Sequence, residues 1–168
     1  VLNTSDQSSI SLDNEIKRIE DYVQLEKMRL SDSFDFKIEN FQELDTRKFQ
    51  IPPMLIQPLI ENAIWHGLAD LEIGGEIILR FQVLNAELHI EIEDNGPGIK
   101  KTISNSSHNS QGIKLSSSRA STYNKLYDTN ITVDTENASE QGTLISISIP
   151  LPTVDTISIL SAKISVQI

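Results

Sequence analysis

Two short clusters carry the side chains best suited to chemistry. The first is Glu61-Asn62, followed by Trp65-His66-Gly67. Asn62 and His66 stand four residues apart, which on a helix places them on one face. Glu61 lies about 100° away, at the border of that face. An acid, an amide oxygen and an imidazole converging there suit a magnesium ion and a phosphate. Magnesium takes few protein oxygens and completes its shell with water and substrate phosphates. The plainer reading is a polar helix face that includes a histidine. The second cluster is Asp94-Asn95-Gly96-Pro97-Gly98, directly after a strand-like run. A carboxylate at a strand end can accept from the exocyclic amine of a base, while the glycines let the backbone approach the ligand. Its plainer reading is a turn, because Asp, Asn, Gly and Pro are the commonest turn residues. The two clusters in this order weigh more than either alone. A polar stretch follows them, then Gly112-Ile113-Lys114 opening a helix, then Gly142-Thr143 entering a strand. That layout offers phosphates a helix N-terminus, where free N–H groups and the dipole favour anions.

The elements that must position these groups are legible from periodicity. Leu12, Ile16, Ile19, Val23 and Leu30 mark one face of an amphipathic helix. Ser11 is its N-cap, and Asp13, Asn14 and Glu15 lie near its positive end. Phe34, Phe36 and Ile38 alternate with Asp35, Lys37 and Glu39, which predicts a strand with one buried face. Leu55, Leu59, Ile60, Ala63 and Ile64 give helical periodicity from Met54 to His66, with Pro58 inside it. A proline costs about 3 kcal/mol in a helix interior and little in its first turn, so the helix starts near Pro58 or bends there. Gly67 is placed as its stop.

Beyond Gly74-Gly75, Ile77, Leu79, Phe81 and Val83 share one strand face, and Leu88, Ile90 and Ile92 share that of the next. Asn85-Ala86 makes the hairpin turn between them. The polar stretch from Lys100 to Gln111 is expected to be mobile, since its Ser104–Ser110 part carries no packing signal. A helix is predicted from about Ile113 to Leu126, then strands over Ile131–Thr135 and Thr143–Ile149. After Pro152, Val154, Ile157, Ile159, Ile164, Val166 and Ile168 alternate with polar residues, which fits an extra edge strand or disorder. Hairpin-paired strands with helices between them imply an α+β fold, a two-layer α/β sandwich with one mixed sheet.

Composition narrows the function classes. The 168 residues allow one domain with appendages. Acidic residues outnumber basic ones 24 to 14 for a net charge of -10, which argues against nucleic acid as a partner. The absence of cysteine excludes disulfides, Cys-ligated metals and thiol catalysis. No apolar run of about 18 residues is present, so no transmembrane helix is expected. The chain opens on Val1 without a signal-peptide layout, and it reads as a soluble domain cut from a larger protein.

At this point the motifs resemble a family. PPMLIQPLIENAIWHGL resembles the N box of sensor histidine kinases of the LytS type, and EDNGPGI resembles their G1 box. SSHNSQGIKLSSSRAS is similar to the next nucleotide box, in the variant where a His-x-Ser-x-Gly-x-Lys run replaces the glycine pair. QGTLISISIP resembles the closing Gly-Thr strand, and SLDNEIKRIEDYVQLEKMRLSDSFDF the helix and strand that lead in. The likeness covers about Ser11 to Pro152 and implies the Bergerat ATP-binding fold. It divides the chain into a linker helix over 1–31, a histidine kinase-like ATP-binding domain over 32–152 and a tail over 153–168.

By that resemblance, Asp94 accepts from the adenine amine with Thr143 in support, while Gly96 and Gly98 make room for the base. Asn62 ligates magnesium, His66 lies near the phosphates, and Glu61 is the general base that helps deprotonate the phosphorylated imidazole. Gly112 and Lys114 belong to the phosphate box, where Lys114 neutralises charge. Ser110-Gln111-Gly112 and Leu115 depart from the usual glycine pair and Asn. An acceptor histidine would lie upstream of Ser11 on a dimerisation helix; His66, His89 and His108 do not resemble one. The implied whole is a membrane-anchored bacterial sensor with this domain in the cytoplasm. It would be a homodimer that binds ATP and magnesium and signals to a response regulator. Two alternatives stand beside this reading: a non-enzymatic nucleotide-responsive module, and an ATP hydrolase on the same fold.

Overall fold

The computed structural model describes residues 9–31, 33–68, 74–99, 111–138 and 141–152. Of the stretch expected to be mobile, Lys100 to Gln111, 100–110 lies outside these residues and Gln111 is instead the first residue of a helix; the expectation of an edge strand or disorder for 153–168 also lies outside them.

A two-residue strand, β1 (Ile10–Ser11), leads directly into α1 (Leu12–Arg29). The Ser11 hydroxyl accepts from the Asn14 N–H at 3.2 Å, the N-cap expected from sequence. Asp13 and Glu15 in the first turn and Lys27 and Arg29 in the last match the helix dipole. Although read from sequence as a linker, α1 buries Leu12, Ile19 and Val23 in the same core as the sheet.

Strand β2 (Phe34–Glu39) follows, then a 3₁₀ turn (Thr46–Lys48) and β3 (Gln50–Ile51), which pairs antiparallel with β1. Helix α2 (Gln57–Asn62) begins at the residue before Pro58, so the proline sits in the first turn, where its missing N–H costs nothing. The helix does not continue as an α-helix to Gly67. Ala63–Gly67 forms a π-helical turn, closed by the Leu68 N–H donating to the Ala63 carbonyl at 3.0 Å. Such turns insert one extra residue and recur at functional sites.

The remaining elements are β4 (Gly75–Leu84), β5 (Glu87–Asp94), α3 (Gln111–Tyr127), β6 (Thr132–Asn137) and β7 (Thr143–Pro150). Helix α3 starts two residues earlier than periodicity indicates, and β6 is shifted by one residue at its start. The five-stranded sheet has the order β2-β4-β5-β7-β6, parallel between β2 and β4 and antiparallel elsewhere. Asn85 and Ala86, at φ 52° and 60°, close the β4–β5 hairpin between the paired residues Leu84 and Glu87. Two left-handed residues give a turn whose twist suits the strands.

One sheet face carries Ile77, Leu79, Leu88, Ile90, Ile92, Ile145 and Ile147, all buried against the helical layer. Full burial stabilises each such side chain by about 1.5–3 kcal/mol. Leu55, Ile56, Leu59 and Ile60 meet them from the start of α2. The opposite face is polar. There the Arg80 Nε donates to Glu39 at 2.6 Å and its Nη1 to Glu93, tying β2 to β5 across β4. His89 lies on the same face beside the Ser148 Oγ at 3.1 Å, a strand residue facing away from the helices. Among the described residues the sheet edges are β2 and β6, which present Asp35, Lys37 and Glu39, and Thr132, Asp134 and Glu136, on that face.

Candidate functional site

Asp94 ends β5 with Ile77 on one side and Thr143 on the other. Only 5% of it is exposed. Its Oδ1 accepts from the Gly96 N–H at 2.9 Å and the Thr143 N–H at 3.3 Å. Burial raises the Asp94 carboxyl above the usual carboxylate range, and the two backbone donors together with the Thr143 side chain pull it back down.

The glycines around Asp94 are required by crowding. Gly142 has φ 103°, and a Cβ there would lie 1.7 Å from the Asp94 carbonyl oxygen. Gly98 has φ 72°, and its Cβ would meet the Asn137 Oδ1 and the Gly142 carbonyl, each at 2.9 Å. Two asparagines fasten the loop. The Asn95 Oδ1 accepts from the Glu76 N–H at 2.8 Å while its Nδ2 donates to the Gly74 carbonyl at 2.9 Å. The Asn137 Oδ1 accepts from the Ile99 N–H at 2.8 Å. The DNGPG run is therefore a turn held by two side chains: Asn95 ties it to β4, and Asp94, at the strand end, caps the Gly96 N–H.

The second pole is the cleft between α2 and α3. Glu61, Asn62, Trp65 and His66 line it from one side, and Gln111, Gly112 and Leu115 from the other. The helix-face grouping expected of Glu61, Asn62 and His66 is thus present. The Glu61 Oε1 accepts from the Gln57 Nε2 at 2.9 Å, one turn earlier on α2. Gly112 has a packing role: its Cβ would stand 2.5 Å from the Pro58 carbonyl and 3.0 Å from the Asn62 Cβ. Its missing side chain is what lets the start of α3 close onto α2 beside Asn62. Lys114 is exposed and is not among the residues lining the cleft. Asn62 offers one amide oxygen there. Among the described residues no group of three His, Cys, Asp or Glu side chains could cage a metal by itself. A single amide with an acid nearby fits an ion that completes its shell with water and phosphate.

Sequence reading missed the groups that hold α2 in place. The Glu15 carboxylate, fully buried, accepts from the Met54, Ile56 and Gln57 N–H groups, each at 3.2 Å. It satisfies the free donors at the start of α2, a service usually given by a local N-cap. From the other side the Ser116 hydroxyl donates to the Leu55 carbonyl at 2.8 Å, and the Arg119 Nη1 to the Pro53 carbonyl at 3.2 Å. Ser116 had a visible signal, since it is polar on the face of α3 that buries Ala120.

A model of the histidine kinase-, DNA gyrase B- and HSP90-like ATPase family matches residues 53–153, which include both poles. The chain belongs to that family. Sensor protein kinase HptS of Staphylococcus aureus is 30% identical to this ATPase-family chain over 154 residues, covering 85% of the chain and 28% of HptS. The protein YwpD of Bacillus subtilis is 40% identical over 98 residues, 58% of the chain and 34% of YwpD. The chain therefore spans about a third or less of the curated relatives it matches. Among solved structures, the catalytic domain of histidine kinase ThkA superposes with a TM-score of 0.62 at 13% identity, covering 85% of the chain and 96% of that domain. ThkA in complex with the response regulator protein TrrA gives 0.58 at 15% identity, covering 85% of the chain and 41% of ThkA. These likenesses establish the fold as that of a histidine kinase catalytic domain. No helix among the described residues is long and apolar enough to cross a membrane.

Proposed function

We propose that this ATP-binding domain is the catalytic part of a sensor histidine kinase, which moves the ATP γ-phosphoryl group to a histidine on a dimerisation helix elsewhere in the protein. The observation that carries the reading is the geometry of Asp94. A buried carboxylate at a strand end, held through Oδ1 by two backbone donors, is poised to accept from the adenine amine. The Thr143 N–H and side chain fix its orientation, Gly96 starts the turn under the base, and Gly98 and Gly142 allow the loop to lie flat.

At the other pole, Asn62 supplies an oxygen for magnesium, and His66 stands beside it on the same cleft wall, toward the phosphates. Magnesium, when bound, neutralises phosphate charge. Lys114, being exposed, would contribute long-range charge there. In the transfer, the acceptor imidazole nitrogen bonds to the γ-phosphorus as the bond to the β–γ bridging oxygen breaks, and ADP leaves. The proton on the imidazole's second nitrogen passes to Glu61, which Gln57 holds in place. The whole sensor would act as a membrane-anchored homodimer and pass the phosphoryl group to a response regulator; for the regulator as partner, the support is the complex of ThkA with response regulator protein TrrA.

Calorimetry with magnesium-ATP tests the nucleotide site. Asp94→Asn removes a charged hydrogen-bond partner worth about 1.5–3 kcal/mol, so affinity should fall roughly ten- to a hundred-fold. Unchanged affinity would reject the adenine assignment. In the full-length sensor, Glu61→Ala should keep ATP binding and slow autophosphorylation by about 10²–10⁴-fold. Nucleotide binding without any autophosphorylation by the unmutated sensor would favour the non-enzymatic module instead.

A further inference from the structure

The inference concerns α1, and it rests on the assignment of Asn62 as the magnesium ligand. We propose that α1 clamps the magnesium-bearing wall of the cleft at two points, with Glu15 and the Tyr22–Arg29 pair as positioning residues. Glu15, Tyr22 and Arg29 are spaced seven residues apart, so they form one stripe along the helix. The first contact lies at the start of α2, where Glu15 accepts from the Met54, Ile56 and Gln57 N–H groups. The second lies in the π-helical turn. There the Trp65 Nε1 donates to the Tyr22 hydroxyl at 3.1 Å, and the Arg29 guanidinium stacks over the Trp65 ring at 4.0 Å. Glu26 accepts from the Arg29 Nε at 3.0 Å and Nη2 at 2.7 Å, which steadies the guanidinium.

Asn62 lies between the two fixed points, and Trp65 and His66 line the same cleft wall. The π turn is where α2 is least regular, and an irregular turn keeps its geometry only when its surroundings hold it. A shift of α1 along or about its axis would move both ends of the metal-bearing segment together, while Asp94 is anchored separately in the sheet.

This separation gives the test. Nucleotide affinity is measured by calorimetry with magnesium and with EDTA, and Trp65, the single tryptophan of the chain, reports the π turn by fluorescence. The double variant Tyr22→Phe, Arg29→Ala removes both Trp65 contacts together with the Arg29–Glu26 pair that steadies one of them. It should lower the ratio of magnesium to EDTA affinity at least three-fold, shift Trp65 emission and leave EDTA affinity unchanged. Glu15→Gln retains one acceptor oxygen and should give a loss between those of the unmutated chain and Glu15→Ala. If Glu15→Ala does not fold, the double variant alone decides, because Arg29 is exposed and Tyr22 only half-buried. An unchanged ratio in the folded double variant overturns the clamp while the site reading stands. Equal losses with magnesium and with EDTA indicate a merely structural role and also overturn it. No magnesium dependence in the unmutated chain overturns the Asn62 assignment and the clamp together.

Discussion

At the Asp94 pole the candidate group is a carboxylate fixed at a strand end by backbone donors, whereas at the Asn62 pole the candidates are side chains on a short helix facing an open cleft. The first is built from Asp94, Asn95 and Asn137 side chains that bond backbone groups at strand ends the sheet already pairs. Asp94 and Thr143 are paired residues of adjacent strands before they are anything else. The second depends on two helices meeting α2: α1 through Glu15, and α3 through Ser116, Arg119 and, at the closest approach, Gly112. A pole fixed by backbone selects its ligand and adjusts little. A pole assembled from helices can be loosened without unfolding the sheet, which is where control of a reaction is most readily exercised.

Substitutions at the two closest glycines should separate the poles most sharply. Gly142→Ala places a methyl group against the Asp94 carbonyl and forces a left-handed φ on alanine. We expect a loss of about 4 kcal/mol or more, at the severe end for single substitutions, read as a thermal midpoint lowered by roughly 10 °C. A fully stable Gly142→Ala would show that the Asp94 pole is not rigid. Gly112→Ala overpacks the α2–α3 contact and should cost about 1–3 kcal/mol. Magnesium-dependent affinity should fall with it, because the methyl group would press on the Pro58 carbonyl and on the Asn62 Cβ beside it. Normal stability combined with weakened phosphate binding would instead return Gly112 to the phosphate loop.

Asn62→Ala should act at one pole only. Losing one oxygen ligand weakens nucleotide binding in magnesium several-fold, or about 1 kcal/mol, and leaves it nearly unchanged in EDTA. Similar losses in both buffers would mean that Asn62 contacts the nucleotide directly.

The smallest effect is the pH dependence of Asp94. Its carboxyl is raised in the folded state, first by burial, so the folded protein holds that proton more tightly than the unfolded chain does. The stability this contributes is present at acid pH, below the unfolded value, and is lost as pH rises through the raised folded value. Adenine recognition needs the ionised form, so nucleotide affinity should rise over the same window. Asp94→Asn should flatten both profiles, and denaturation and binding curves between pH 4 and 7 would check it. A slope that survives in the variant belongs to another group.

The same contrast explains what could be read from the chain alone. Elements that depend on local periodicity were legible: α1 with its Ser11 cap, the hairpin at Asn85-Ala86 and the alternating faces of β4 and β5. The short, distinctive runs around Asp94 and Asn62 were legible as candidates, and the fold puts Asp94 at the end of β5 and Asn62 on the cleft between α2 and α3. Long-range placement was not. Glu15 looks like a first-turn acid serving its own helix dipole, yet it is fully buried at the start of a helix some forty residues on. The π turn leaves no mark in the hydrophobic pattern, because Ala63 and Ile64 are buried in either geometry. The close packing of Gly112 against Pro58 and Asn62 was not legible either, since spacing carries no information about which neighbouring helix a glycine makes room for.

The charged edges of the sheet have a consequence for the domain as a body in solution. A second molecule adding to β6 would bring its own strand alongside Asp134 and Glu136, and one adding to β2 would meet Asp35, Lys37 and Glu39 in alternation. Unpaired edge N–H and C=O groups invite such addition, and charges at every second position oppose it. Neither edge is suited to extending the sheet from one copy into the next. Two such domains can therefore be held close, at high local concentration, without their strands merging.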